Sequence, residues 1–142
     1  MNDPEIAVAV LLLQRTAYRI EAALIGFEQI PPLHESLDDL VAAPLVWRGI
    51  VESGEVIAAM GFTEDDGQID IDRLFVSPRS SRKGYGSSLV ASLDPTATIT
   101  VSTGTKNVPA RQLYEAQGFV KCGESSPVLG LRVSHYVRKG IQ

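Results

Sequence analysis

Cysteine and long apolar runs are both scarce in this sequence. Cys122 is the single cysteine among 142 residues, so no disulfide can form within the chain, and we expect its thiol to be buried. The apolar segment at residues 6–13 is too short to span a bilayer, and acidic residues precede it where a signal peptide carries basic ones. These features favour a protein of the reducing cytoplasm that does not enter a membrane.

Positive charge is also in deficit. The chain has 13 Lys and Arg residues against 17 Asp and Glu, which gives a formal net charge of -4. This balance argues against a broad surface for nucleic acid or for an anionic membrane. Apolar residues make up 44% and charged residues 21%, as in ordinary folded domains, and 142 residues can bury a core without disulfides or a structural metal. We therefore expect one domain over residues 1–142.

The first part of the chain predicts two helices. Asp3-Pro4-Glu5 supplies a capping carboxylate, a proline suited to the first turn and an acid near the positive end of the helix dipole, and Gly26 marks the end. Two prolines within residues 30–33 predict a fixed loop, and Ser36 is the expected cap of a short helix that ends near residue 42. The buried face of the first helix is predicted from apolar residues at helical spacing: Ile6, Val10, Leu13, Ala17, Ile20 and Leu24.

Three β-rich segments follow and predict a meander, at residues 46–51, 56–62 and 69–76. Glu52-Ser53-Gly54-Glu55 and Asp65-Asp66-Gly67 supply the two turns. Further along, turn and cap residues predict a helix, a strand, a helix from Asn107 to the residue before Gly118, and two final strands joined by a loop. The expected ranges of these later elements are 87–93, 98–103, 107–117, 119–122 and 131–138.

The third strand of the meander contains a break in its alternation. Its apolar residues Ile69 and Ile71 occupy odd positions, whereas Leu74 and Val76 occupy even ones. One extra residue, as in a β-bulge between Asp72 and Leu74, would reverse the faces in this way. A strand buried on both faces is the alternative that periodicity leaves open.

A glycine-rich turn, Ser81-Arg82-Lys83-Gly84-Tyr85-Gly86, lies between this strand and the next predicted helix. In such a turn, free N–H groups and the helix dipole converge on one spot, which can bind an anion. Gly84 and Gly86 leave room for a phosphate, and the adjacent basic and serine side chains can add charge and hydrogen bonds. Alone, a Gly-x-Gly pattern is also typical of a purely structural turn.

A second motif lies about twenty residues downstream and gives the glycine turn its context. The residues that match are Asn107, Ala110, Tyr114, Gly118 and Phe119. Their pattern, Asn-x-x-Ala-x-x-x-Tyr-x-x-x-Gly-Phe, resembles a segment of the GNAT superfamily of acetyl-CoA-dependent N-acetyltransferases. The turn is similar to that family's Gln/Arg-x-x-Gly-x-Gly/Ala loop, except that Ser81 stands at its first position. The resemblance covers roughly residues 46–122.

The resemblance implies an α/β fold with a mixed, mostly antiparallel central sheet flanked by helices. The strands at 69–76 and 98–103 would splay apart to admit the pantetheine arm of acetyl-CoA, with no metal required. Members usually begin with a strand before the first helix, but Asp3-Pro4 leaves no room for one here. Either that strand is missing or the true start lies upstream, and loss of the strand would expose a sheet edge that can pair in a homodimer. Implied cofactor-binding residues are Leu74, Phe75, Val76, Arg82, Lys83, Gly84, Tyr85, Gly86, Ser87 and Asn107.

The resemblance also implies catalytic roles. Tyr114 matches the general acid that protonates the departing thiolate, which is feasible because a phenol is protonated at pH 7; a core residue with a locally satisfied hydroxyl is the alternative. Many members carry a glutamate base where this chain has Ser102, and Asp70 is a candidate in its place, with a solvated carboxylate near a turn as the alternative. Glu21 and His34 are candidates for contact with the acceptor; the alternative is a solvated or paired carboxylate for Glu21 and a loop histidine that does not touch substrate for His34.

The expected function is therefore transfer of an acetyl group from acetyl-CoA to a primary amine of a small molecule or peptide, by direct attack in a ternary complex. The rival interpretation is a non-catalytic acyl-CoA-binding sensor or regulatory module. Neither interpretation involves nucleic acid or a membrane.

Overall fold

A computed structural model describes residues 3–27 and 34–141 of the chain. The loop predicted at residues 30–33 therefore lies outside the described residues. Within these ranges the chain forms four α-helices and six β-strands, and a 3-10 turn lies at Pro78–Ser80. The elements in chain order are α1 Pro4–Ile25, α2 Leu37–Ala42, β1 Val46–Glu52, β2 Glu55–Asp65, β3 Gln68–Val76, α3 Tyr85–Ala91, β4 Thr98–Gly104, α4 Val108–Ala116, β5 Val120–Val128 and β6 Leu131–Arg138.

Helix α1 begins and ends where its caps predict. The Asp3 carboxylate accepts hydrogen bonds from the backbone N–H groups of Glu5 and Ile6 at 2.9 and 3.4 Å, and Gly26 closes the helix in the left-handed conformation. The predicted buried face is only partly correct, because apolar residues surround much of the helix and periodicity alone does not select one side. Of the predicted set, Val10 is buried and Leu13 and Ala17 are partly buried against the core, whereas Ile6, Ile20 and Leu24 are exposed. The buried residues are Ala7, Val10, Leu11, Gln14, Tyr18, Ala22 and Ile25.

The six strands form one sheet in the order β1-β2-β3-β4-β6-β5, antiparallel except for the β3–β4 pair. This architecture confirms the expected mixed, mostly antiparallel sheet flanked by helices. Ser36 caps α2 with its hydroxyl, and the meander has its two predicted turns. Their central residues, Ser53-Gly54 and Asp66-Gly67, have positive φ angles, as two-residue hairpins of the I′ type require.

The final hairpin differs from its prediction. The serine, proline and glycine residues after Cys122 predicted a loop, but β5 continues to Val128 and turns at Leu129-Gly130. Pro127 is compatible with this strand because β5 is the edge of the sheet, where one N–H needs no ladder partner. Cys122 is exposed on β5, so the expectation of a buried thiol is wrong.

Helices cover the sheet on both faces. One core cluster joins α3 and α4 to the sheet through Met60, Ile99 and Tyr136. The other joins α1 and α2 to the opposite face through Leu40 and Phe75. Neighbouring strand residues such as Ala58 and Ala59 fall in different clusters, as alternation along a strand requires.

The β-bulge predicted in β3 is present. Gly61 of β2 pairs with Arg73 and the next residue, Phe62, pairs with Ile71, so Asp72 is the extra residue. Ile69 and Ile71 before the bulge, and Leu74 and Val76 after it, all contact the same core cluster. The break in alternation in the sequence therefore marks a change of register between β2 and β3. After the bulge, Phe75 packs on the opposite face of the sheet, in the cluster with α1 and α2.

The bulge is also where the two central strands separate. Strands β3 and β4 pair only over Gln68–Ile71 and Thr98–Val101, whereas β4 continues to pair with β6 as far as Gly104. Beyond Ile71, an opening separates the end of β3 from the end of β4. The splay expected of the two central strands is confirmed.

Candidate active site

Two cavities meet at the opening between β3 and β4. The first, the inner cavity, has a volume of about 200 Å³ and lies between the separated strand ends and α1. The second, the loop groove, has a volume of about 540 Å³ and runs from the opening along the glycine turn. Six residues line both cavities and are called the junction here: Tyr18, Glu21, Leu74, Asn107, Ala110 and Tyr114.

The glycine turn has the backbone shape of an anion-binding loop. Arg82 and Gly84 both adopt positive φ angles, of 65° and 80°. Helix α3 starts at Tyr85, two residues earlier than predicted, and no side chain caps its first turn. The backbone N–H groups of that turn are therefore free to face a ligand in the groove.

The two glycines of the turn serve different purposes. A side chain at Gly84 would meet nothing within 4 Å, so Gly84 is required by its left-handed backbone. A Cβ atom at Gly86 would lie 2.8 Å from Cδ1 of Leu113 on α4. Gly86 therefore allows α3 and α4 to pack closely, a role that the motif alone does not reveal.

The expected cofactor residues are nearly all brought together in the loop groove. Its lining includes Leu74, Phe75, Val76, Arg82, Gly84, Tyr85, Gly86, Ser87 and Asn107. Lys83 is exposed and is not among the lining residues. The Tyr85 hydroxyl donates a hydrogen bond to the Glu52 carboxylate, which anchors the turn to the β1–β2 hairpin and raises the pKa of Tyr85. Ile20 and Leu24, exposed on α1, supply apolar wall to the groove.

Tyr114 lies at the junction with its ring buried and its hydroxyl unused. The ring packs against Phe119 and Tyr136 at centroid distances of 5.5 and 6.4 Å. The hydroxyl makes no hydrogen bond to any residue within 3–27 and 34–141. Every side-chain oxygen or nitrogen in those ranges that is shielded from solvent has a hydrogen-bond partner, so the Tyr114 hydroxyl is not shielded. The hydroxyl is therefore open to the cavity. Burial, with a smaller contribution from the negative charge of Glu21, raises the pKa of Tyr114.

Glu21 reaches the junction from α1, beside Asn107. The buried Asn107 caps α4, since its side-chain oxygen accepts a hydrogen bond from the Ala110 N–H at 3.3 Å. The Asn107 side chain also favours the charged form of the Glu21 carboxylate. Burial raises the pKa of Glu21, and Asn107 opposes part of that rise.

The candidates Asp70 and His34 lie outside this arrangement. Asp70 stands on β3 before the bulge, where β3 and β4 are still paired, and accepts a hydrogen bond from the Thr100 hydroxyl at 2.7 Å. It is exposed and lines neither cavity, because the opening begins only beyond Ile71. His34 is exposed and also absent from both linings.

Sequence reasoning missed a partly buried polar cluster beside the inner cavity. Arg73 Nη1 lies 2.7 Å from Glu35 Oε1 and 3.2 Å from the side-chain oxygen of the fully buried Gln14, and its Nε lies 2.7 Å from Asp72. This cluster ties α1 and the segment before α2 to the bulge. A glutamine within the apolar sequence of α1 was the one available signal. In the described part of the chain, no group of three or more His, Cys, Asp or Glu side chains is placed to hold a metal ion.

The fold and the junction define an α/β domain in which a groove along the glycine turn leads to a second cavity. Residues 45–121 match the family model described as "Acetyltransferase (GNAT) domain". The chain belongs to the GNAT acetyltransferase family. None of the helices in the described ranges is long and apolar enough to cross a membrane.

The chain is also similar in sequence to one curated protein and in fold to solved structures. The chain is 32% identical over 137 residues to the UPF0157 protein YqkA of Bacillus subtilis, covering 94% of this chain but only 40% of that relative's length. The ribosomal-protein-S18-alanine N-acetyltransferase of Escherichia coli superposes with a TM-score of 0.71 at 16% identity, covering 92% of this chain and 85% of the other. Salmonella typhimurium yncA, solved with its cofactor acetyl-CoA, has a TM-score of 0.71 at 14% identity over 99% and 91% of the two chains.

Proposed function

We propose that this domain transfers an acetyl group from acetyl-CoA to a primary amine by direct attack in a ternary complex. The observation that carries the proposal is the junction, where a groove suited to an elongated anionic donor opens onto a second cavity beside the free hydroxyl of Tyr114. Direct transfer needs donor and acceptor to meet at one point, and the two cavities share six lining residues.

The donor would occupy the loop groove. Its pyrophosphate fits the N–H groups of the glycine turn from Arg82 to Ser87, with Arg82 supplying charge; the neighbouring Lys83 lies on the outer surface. Its pantetheine arm fits the free edge of β3 after the bulge, at Leu74, Phe75 and Val76. Backbone N–H groups at that edge would also stabilise the oxyanion that forms as the amine attacks.

Tyr114 would protonate the departing sulfur. A phenol whose pKa is raised by burial keeps its proton throughout the neutral range, so the donor is present in every turnover. Because a phenol is a weaker acid than a thiol, with ordinary pKa values of about 10 and 8.5, transfer to the thiolate is uphill by itself and is completed by the proton that the attacking nitrogen gives up to the phenolate. The same difference allows the phenolate to recover a proton before the next cycle.

The inner cavity suggests the chemistry of the acceptor. Its walls combine apolar side chains with two carboxylates, Glu21 and Asp72. The one cation among its described lining residues is Arg73, which is already bonded to Asp72 and Glu35. An amine on an apolar body fits this cavity better than a free amino acid, whose carboxylate would find no available cation. A small-molecule amine and a peptide N-terminus both meet this description.

The second candidate is a module that binds acyl-CoA without turnover. Ser81 at the first position of the glycine turn and Ser102, which lines the inner cavity in place of a strand carboxylate, favour it.

Release of free thiol from acetyl-CoA distinguishes the two candidates, using butylamine, benzylamine and a short peptide with a free N-terminus as acceptors. Amine-dependent thiol release supports the enzyme. Saturable acetyl-CoA binding without release in the presence of any of these amines supports the binding module.

A further inference from the structure

We propose that Glu21 on the first helix, rather than a carboxylate on the central sheet, is the general base that takes a proton from the acceptor ammonium. This role rests on the proposed acetyl transfer. A base for that reaction must reach both the acceptor and the thioester, so it has to lie where the two cavities meet. Among the six junction residues, Glu21 is the one that carries a carboxylate.

Other candidate bases near the opening are occupied or displaced. Asp72 lines the inner cavity but pairs with the Arg73 guanidinium at 2.7 Å, which offsets its charge. His135 lies beyond Ser102, and its two ring nitrogens lie 2.6 and 2.7 Å from the hydroxyls of Ser102 and Ser125. Asp70 lies outside both linings and is bonded to Thr100.

The surroundings of Glu21 suit a base. Burial raises the pKa of Glu21 above that of an ordinary glutamate, which brings it closer to the operating pH and strengthens it as a proton acceptor. Tyr18 on the same helix and Tyr114 on α4 share the junction with it and are both affected by its charge, and in the inner cavity Arg73 is paired with Asp72. No cation in this set is available to hold Glu21 permanently in its ionised form.

Asn107 orients this carboxylate. Its side-chain oxygen accepts from the Ala110 N–H at 3.3 Å, so its amide N–H groups are the part of the side chain that can stabilise the Glu21 carboxylate, whose pKa Asn107 lowers. Asn107 is therefore a positioning residue for Glu21, in addition to capping α4.

The proton balance of the reaction assigns each group one task. The Glu21 carboxylate takes one proton from the ammonium and later releases it to solvent. The nitrogen lone pair forms the bond to the thioester carbonyl carbon, and the carbon–sulfur bond breaks with its electron pair passing to sulfur. Sulfur takes the proton of Tyr114, and the second proton lost by nitrogen restores the phenol. The net products are the amide, the free thiol and one proton.

The test compares Glu21→Gln with Glu5→Gln, the same isosteric change at an exposed position on the same helix. With butylamine as acceptor, we expect E21Q to lower kcat at pH 7 by about 10²-fold, the size typical of a lost general base, while KM for acetyl-CoA stays unchanged. The loss should shrink as pH rises, because solvent then deprotonates the amine. Glu5→Gln should retain the wild-type rate and pH profile.

Two further measurements separate a base from a structural residue. Ultraviolet titration of the tyrosines should show a lower pKa for Tyr114 in E21Q, since the negative charge of Glu21 helps to raise it. Added formate should restore part of the turnover of Glu21→Ala, because a small carboxylate can enter the vacated space, and this holds even if E21Q folds poorly. An E21Q enzyme with wild-type kcat and pH profile, or a Glu21→Ala enzyme that formate does not rescue, would overturn the role of Glu21 while leaving acetyl transfer intact. A wild-type protein that releases no thiol with any amine would overturn the proposed function and this role together.

Discussion

At the scale of single residues, Tyr114 and Tyr136 form an instructive pair of buried phenols. Their rings lie 6.4 Å apart, and both are at most 5% exposed. The Tyr136 hydroxyl donates to Glu115 at 2.7 Å and accepts from Arg111 at 3.0 Å. The Tyr114 hydroxyl has no such partner among the described residues and opens onto the cavities. One hydroxyl therefore serves the fold, and the other is free for a ligand.

This contrast makes Tyr114→Phe and Tyr136→Phe a matched pair. Tyr114→Phe should lower turnover about 10²-fold with nearly unchanged acetyl-CoA affinity and stability, because the lost hydroxyl bonds no protein group. Tyr136→Phe should lower the free energy of unfolding by about 1 kcal/mol and leave turnover nearly intact, since two side chains lose their partner. Steady-state kinetics and urea unfolding measure the two effects. Equal turnover in wild type and Tyr114→Phe would remove Tyr114 from the mechanism.

The stability of the protein should depend on pH through Glu21. Because burial raises the pKa of this carboxyl in the folded state, the folded chain binds more protons than the unfolded chain over the range just above the ordinary glutamate pKa of 4.5. Folding stability from this group is therefore greatest below pH 4.5 and falls as pH rises through the range up to the raised pKa. Glu21→Gln should flatten this decline and raise Tm at pH 7, as thermal unfolding at several pH values would measure. A lower Tm for the variant at pH 7 would contradict the raised pKa.

At the scale of elements, the contact between α3 and α4 links the glycine turn to the helix that carries Tyr114. Gly86→Ala would place a Cβ atom 2.8 Å from the end of the Leu113 side chain, so one of the two must move. We expect a loss of about 1 kcal/mol, at the low end for an overpacked site because a side-chain terminus can yield, together with weaker acetyl-CoA binding. Adding Leu113→Ala should recover part of both losses relative to that single variant. A double-mutant cycle that shows no coupling would contradict this explanation of Gly86.

The elements also show which parts of the fold can be predicted from the sequence. Caps, two-residue turns and the broken alternation at Asp72 are local signals, so the bounds of α1, the β1–β2–β3 meander and the bulge could be predicted. The face of α1 could not, because apolar residues on several sides leave the choice to tertiary packing, and Gln14 is buried where Ile20 is exposed. The length of β5 was missed because Pro127 reads as a loop signal unless its strand is known to be an edge.

The residues of the candidate site differ in the same way in whether the sequence predicts them. Tyr114, Asn107 and the glycine turn belong to local sequence motifs, so their spacing is enough to identify them as candidates. Glu21 reaches the junction only because α1 packs across the opening, and the partners of Arg73 come from α1 and the segment before α2. Asp70 was a reasonable candidate by its place on β3, but a bulge and a splay two residues later separate it from the cavities.

At the scale of the whole molecule, the loop groove is assembled from both layers. Helix α1 belongs to one face of the sheet and helices α3 and α4 to the other, and all three line the groove. The two faces of the sheet are connected through the opening beyond Ile71, where β3 and β4 are no longer paired. A ligand in the groove would therefore contact elements of both helical layers at once.

Coenzyme A should accordingly stabilise the domain as a unit rather than the glycine turn alone. At a concentration 100-fold above its dissociation constant, binding to the folded state adds about 2.7 kcal/mol, equivalent to a Tm increase on the order of 10 °C for a domain of this size. Hydrogen exchange should slow at Ala17–Leu24 on α1 as well as at Arg82–Ser87, since the two segments line opposite walls of the groove. Tyr114→Phe should gain the same stabilisation as wild type, because its hydroxyl is assigned to turnover and not to affinity. Protection confined to Arg82–Ser87 would mean that α1 does not take part in binding, and the assignment of Glu21 to the meeting point of the two substrates would then lose its structural basis.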